Sequence, residues 1–181
     1  MGASDVVTKS SAEQAVSLCK KHKFDVIICD LHLGADNKSG YELIEELRTR
    51  RLINPTSVFI LISADSARPI VLGSIERRPD DFLVKPFSQV QLKSRIIRAW
   101  QKRQFLQQAY SLIEQGECNS AIDHIESLLD SPSHYKGHCE QLLVELYWRI
   151  GQPEKAFDVL SDYIDGKPVL WAQIAIAKTY L

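Results

Sequence analysis

Phe24-Asp25-Val26-Ile27-Ile28-Cys29-Asp30 is an apolar, β-branched run that closes on a carboxylate. Its apolar residues are too continuous for a half-exposed strand, and they predict one buried on both faces, as in a parallel sheet. Two more runs follow the same plan. Val58-Phe59-Ile60-Leu61-Ile62 closes on Ser63, and Phe82-Leu83-Val84 closes on Lys85, which is followed by Pro86. Amphipathic helical patterns separate them. Upstream, Ser10-Ser11-Ala12-Glu13 has the form of a capping box, opening a helix whose Ala12, Ala15, Val16 and Cys19 share one face. After the first strand, a loop at Gly34-Ala35-Asp36-Asn37-Lys38 leads to a capping-box helix from Ser39 to Arg51, with Leu43, Ile44 and Leu47 inward. Asn54-Pro55 breaks that helix. A short helix is expected around Ile70–Arg77, and Ser88 with Gln91 caps a long one running at least to Trp100. Strand and helix alternating in this rhythm predict an α/β, doubly wound open parallel sheet covered on both faces.

In such a sheet reactive groups gather at the carboxyl ends of the strands. A lone strand-end Asp can simply cap the next loop. Three endings in the order Asp30, Ser63, Lys85 bring a carboxylate, a hydroxyl and an ammonium to one edge. A carboxylate can accept a phosphoryl group. An ammonium and a hydroxyl can hold two of its oxygens.

Asp25-Val26-Ile27-Ile28-Cys29-Asp30-Leu31, the ending Ile62-Ser63-Ala64, and Leu83-Val84-Lys85-Pro86-Phe87 resemble the receiver domain of bacterial response regulators. The resemblance covers roughly residues 5–100 and places a flavodoxin-like receiver domain over residues 1–103. It implies Asp30 as phosphoacceptor, Ser63 as switch hydroxyl and Lys85 as the phosphate-binding cation, with a cis bond before Pro86. Phe82 stands where the family keeps a rotating aromatic; a plain core Phe is the other reading. His32 would lend its backbone carbonyl, beside Asp30, to a Mg²⁺ ion. A histidine kinase or phosphotransfer protein is the implied phosphate donor. One departure stands out. The family's first strand ends in an acidic pair that binds Mg²⁺. Here Val6-Val7 corresponds to the second strand, so that pair would lie before Met1, and Asp5 does not replace it. Two readings follow: a piece of a longer protein, which the intact remaining motifs favour, or a receiver that has lost its first strand and helix. Either way the chain as given is an incomplete receiver expected to bind Mg²⁺ poorly.

Residues 104–181 carry no strand signal but contain a repeat. Gly116-Glu117-Cys118-Asn119-Ser120-Ala121 and Gly151-Gln152-Pro153-Glu154-Lys155-Ala156 share G-x-x-x-x-A, 35 residues apart. Leu143, Tyr147, Gly151, Ala156 and Pro168, and more loosely Ala109, Gly116 and Ala121, resemble tetratricopeptide repeats. Leu112 and Gln108 depart from that pattern. Residues 169–181, with Trp171, Ala177 and Tyr180, look like the opening of a third copy, whose exposed face predicts self-association. The resemblance implies a groove for a protein or peptide; helices that only stabilise the receiver are the other reading. No Pro or Gly interrupts Ser88 to Gln115, which predicts a stiff helical joint.

The bulk numbers agree with a globular chain in a reducing cytoplasm. Of 181 residues, 45% are hydrophobic and 25% charged, with a formal net charge of −1. No global field favours nucleic acid or an anionic membrane. Cys19, Cys29, Cys118 and Cys139 show no metal-site spacing, and no apolar stretch reaches the ~20 residues that span a bilayer. The basic clusters at Arg48–Arg51, Arg77-Arg78 and Lys102-Arg103 read as solvated helix faces. An enzyme is not expected: a phosphohydrolase built on Asp30 would want an acid/base carboxylate two residues on, where His32 stands. The expected function is a two-component response regulator acting through its helical repeats. The alternative is a pseudo-receiver scaffold that never takes phosphate.

Overall fold

The computed structural model describes residues 4–33, 38–64, 74–164 and 169–179. The chain divides into two compact units, Met1–Arg103 and Gln104–Leu181.

The first unit is built from α1 (Ala12–Cys19), β1 (Val26–Asp30), α2 (Gly40–Thr49), β2 (Val58–Ser63), a 3₁₀ turn at Ile75–Arg77, β3 (Asp81–Val84) and α3 (Gln89–Phe105). The strands form a parallel sheet in the order β1-β2-β3. The central strand β2 is buried at every position, as its unbroken apolar run requires. On one face Ala12, Val16, Cys19, Leu43, Ile44 and Leu47 of α1 and α2 pack over Cys29, Phe59 and Leu61. On the other, Ala99 of α3, with the half-buried Leu92 and Ile96, covers Val58, Ile60 and Leu83. Full burial of each Ile or Leu contributes about 1.5–3 kcal/mol. Cover on the α3 face thins toward β1, where Ile28 stays 43% exposed.

Several local expectations shift. The α1 cap is Ser11, whose hydroxyl accepts from Gln14 N–H at 3.3 Å; Ser10 instead meets the Gln14 side chain. Val6 and Val7 form no strand and are 80% and 52% exposed. The capping boxes at Ser39 and at Ser88 with Gln91 form as the sequence indicates. Of the helix expected around Ile70–Arg77, residues 65–73 lie outside the described residues, and only the turn at Ile75–Arg77 is seen. α3 ends at Phe105; the fully buried Leu106 separates it from the next helix, so the helix expected from Ser88 to Gln115 is two.

The basic clusters differ most from expectation. Arg103 is buried and Arg48 half-buried, rather than solvated, because both bind Asp80 at the amino-terminal end of β3. Asp80 accepts from Arg103 Nε at 2.6 Å, Arg48 at 3.2 Å and Phe59 N–H at 2.8 Å. Arg48 also caps the Arg78 carbonyl at 2.5 Å, and Arg103 the Pro55 carbonyl at 3.0 Å. Lys102 reaches the Asp80 carbonyl at 3.0 Å. Burial alone would raise the Asp80 pKa, but Arg103, Arg48 and Lys102 outweigh it and hold the carboxyl below its usual value. The group ties α2, β2 and α3 together at the rear of the sheet.

The second unit is helical: α4 (Gln107–Gln115), α5 (Cys118–Leu129), α6 (Lys136–Arg149), α7 (Pro153–Ser161) and α8 (Leu170–Thr179). Each packs on the next in sequence, and α8 also meets α6. Gly116 and Gly151 end α4 and α6 in the left-handed region, at φ 86° and 72°. Each is followed by the same long closing bond, Glu117 N–H to Leu112 O at 2.9 Å and Gln152 N–H to Tyr147 O at 2.8 Å. Ala121 and Ala156, five residues after each glycine, are fully buried. Tyr147 of α6 donates to Glu126 of α5, and Tyr163 to Glu140 of α6. In α8, Leu170 is exposed while Trp171 stacks edge-on to Tyr163, with ring centroids 5.0 Å apart. Pro168 and Tyr180 lie outside the described residues.

Candidate functional site

The parallel register sets Asp30 opposite Ile62 and Ser63 opposite Val84. The ladder runs one residue further on each side, from Leu31 N–H to Ile62 O at 2.7 Å and from Lys85 N–H to Ser63 O at 2.8 Å. All three strands therefore finish at one edge. There the Lys85 ammonium donates to Asp30 Oδ2 at 2.5 Å, and the His32 N–H donates to Oδ1 at 3.1 Å. The pair is reachable from solvent, with side chains 38% exposed for Asp30 and 48% for Lys85. Partial burial works to raise the Asp30 pKa, but Lys85 and the His32 N–H outweigh it and hold the carboxyl below its ordinary value. Asp30 is thus a carboxylate at neutral pH, the form a nucleophile needs.

Ser63 is one strand away and fully buried. Strand alternation places it on the face of Phe59 and Leu61, opposite the face that Asp30 shares with Ile62. The structure thus brings Asp30 and Lys85 into contact and keeps Ser63 adjacent but covered. Phe82 pairs with Leu61 and packs half-buried on the α2-side core. The Lys85-Pro86 bond is cis.

Two neighbours of the site were not singled out in the sequence. Gly40, the first residue of α2, lies against the Asp30 main chain. A glycine directly after a helix cap was its only signal. Cys29 is buried and donates weakly to the Asp30 carbonyl at 3.1 Å; burial, and then the Asp30 charge, push its thiol up to about 12, so it is inert.

Among the described residues, no group of three or more His, Cys, Asp or Glu side chains could hold a metal ion. Both Asp30 oxygens are already engaged by Lys85 and the His32 N–H. These residues do not by themselves assemble a Mg²⁺ site. No helix among the described residues is long and apolar enough to cross a membrane.

The chain is similar to the alkaline phosphatase synthesis transcriptional regulatory protein PhoP of Bacillus subtilis. The two are 30% identical over 142 residues, covering 78% of this chain and 56% of PhoP. It is also similar to the alginate biosynthesis transcriptional regulatory protein AlgB of Pseudomonas syringae pv. tomato, at 31% identity over 71% of this chain and 27% of AlgB. A two-component response regulator of Arabidopsis thaliana is 34% identical over 44% of the chain, so relatives extend beyond bacteria. The chain spans about half or less of the length of these curated relatives. A solved response regulator from Burkholderia pseudomallei, described with a phosphorylated aspartic acid, calcium ion and citrate, is 20% identical. It aligns over 65% of this chain and 75% of its own, with a TM-score of 0.37. The response regulator receiver domain model matches residues 1–97, and the chain belongs to that family.

Proposed function

We propose that this protein is a two-component response regulator of the cytoplasm that takes a phosphoryl group on Asp30 and signals through its helical unit. The observation that carries this reading is the Lys85–Asp30 contact at the carboxyl edge of the sheet. An Asp30 oxygen attacks phosphorus, the bond from phosphorus to the donor breaks, and an acyl phosphate forms. The donor is a phosphohistidine of a kinase or phosphotransfer protein, whose imidazole takes up a proton on leaving. Lys85, already on Oδ2, moves to a phosphoryl oxygen and offsets its charge. The His32 N–H keeps the second carboxylate oxygen aimed. Ser63 must turn out of its buried position to donate its hydroxyl, and Phe82 packs into the space opened. A divalent cation would draw on Asp30 and the His32 carbonyl and would offset phosphoryl charge there. The protein turns over no substrate of its own. Its tetratricopeptide-like helices take a protein or peptide partner, with the two left-handed glycine caps and paired buried alanines as support.

A pseudo-receiver that never takes phosphate is the second reading, and the complete burial of Ser63 favours it. Labelling with acetyl phosphate and Mg²⁺ separates the two. Wild type should gain a base-labile label that Asp30→Asn lacks, and Lys85→Ala should slow its formation. A wild type that gains no label even at saturating Mg²⁺ would favour the scaffold reading instead.

A further inference from the structure

Resting on the reading of Asp30 as phosphoacceptor, the geometry points to Gly40 as a positioning residue for that reaction: its missing side chain lets the first turn of α2 close on the Asp30 main chain and hold the carboxylate in line with Lys85. A Cβ at Gly40 would stand 2.4 Å from Leu61 Cδ2, 2.9 Å from the Asp30 carbonyl oxygen and 3.3 Å from Cys29 Sγ. Carbon atoms in contact ordinarily sit about 3.5–4.0 Å apart. Leu61 is fully buried on the central strand and cannot retreat without disturbing a close-packed core. By helix propensity alone alanine is the better residue there, so packing and not propensity requires glycine.

The connection makes the contact consequential. Gly40 N–H donates to Leu31 O at 2.9 Å, and His32 pairs with Ser39 in an antiparallel bridge. The Ser39–Glu42 capping box fixes that end of α2. The segment bearing Asp30 and His32 is thus clasped to α2 by Gly40 and Ser39. Lys85 and Ser63 are tied to each other by the β2–β3 ladder. A methyl group at position 40 must displace the Asp30 segment or the α2 turn, moving the carboxylate relative to an ammonium that stays in place.

The test uses the full chain as Gly40→Ala, Leu61→Val, and the two combined. Three readouts are followed: initial phosphoryl uptake from acetyl phosphate with Mg²⁺, the urea midpoint, and the amide resonance of His32, which reports its bond to Asp30. Leu61→Val should label near the wild-type rate, while Gly40→Ala should lose about a hundredfold, the cost of a ~1 Å misplacement. Leu61→Val removes the nearest obstacle to a Cβ, so the double variant should recover the urea midpoint of Leu61→Val. The Asp30 carbonyl still stands in the way, so uptake should stay low and the His32 resonance displaced. If uptake returns together with the midpoint, or if Gly40→Ala labels at the wild-type rate, the role is packing alone and the inference falls. If wild type takes no label even at saturating Mg²⁺, the phosphoacceptor reading fails, yet the His32 resonance still judges Gly40. Displacement in the double variant supports positioning, and a wild-type resonance overturns it.

Discussion

Asp30 and Asp80 sit at opposite ends of the same sheet, both with carboxyls held below their usual range and both facing cations. Burial separates them. The Asp30–Lys85 pair is partly exposed, and such pairs contribute about 0–1 kcal/mol to stability. Asp80 is buried among Arg48, Arg103 and Lys102, and breaking such a group costs about 3–5 kcal/mol. Asp30→Asn should therefore leave the urea midpoint nearly unchanged and remove the label, whereas Asp80→Asn should lower the midpoint sharply and keep label in whatever remains folded. Acid should shrink the second difference. An unfolded Asp titrates near 3.9, and folded Asp80 titrates lower. Between those values the unfolded chain holds a proton that the folded chain lacks, so this stabilisation, complete above the unfolded value, falls as pH falls. Urea midpoints of wild type and Asp80→Asn should converge below about pH 4. Asp30 was legible because it ends an apolar run. Asp80 was not, since its partners lie on two helices and nothing in the local sequence separates the half-buried Arg48 from the exposed arginines beside it.

At the level of elements, what was readable were features in which one residue type answers one local constraint. Serine caps at positions 39 and 88 are of this kind, as are the unbroken strand β2 and the two glycines that end α4 and α6. The misses came where the constraint was tertiary. An apolar stripe runs through Phe105, Leu106 and Ala109, and the break between α3 and α4 falls on a fully buried leucine that carries no breaking signal. Ser10 and Ser11 offer equivalent hydroxyls, and packing of Ala12 selects the second. The glycine caps yield a direct prediction. Nothing lies within 4 Å of a Cβ at Gly116 or Gly151, so alanine at either adds only left-handed strain. Each change should cost about 1–2 kcal/mol, nearly the same at the two positions, in thermal or urea unfolding. A large difference between them would mean that the two turns are not equivalent repeats.

On the scale of the whole molecule, the described residues give a receiver of three parallel strands followed by five helices that pack in chain order. Within the first unit, α3 starts at the Ser88 cap, three residues beyond Lys85, and Arg103 near its other end is fixed to Asp80. On the proposed phosphorylation of Asp30, a movement of Lys85 toward the phosphoryl group would enter α3 at its amino end while its far end stays anchored. Asp30 is the residue proposed to carry that group. Borohydride reduces an aspartyl phosphate to homoserine, so the labelled chain can be treated, digested and mapped by mass spectrometry. Homoserine at position 30 alone, absent when acetyl phosphate is omitted, is the predicted result. Homoserine at any other aspartate, or none at position 30 in a labelled chain, would contradict it.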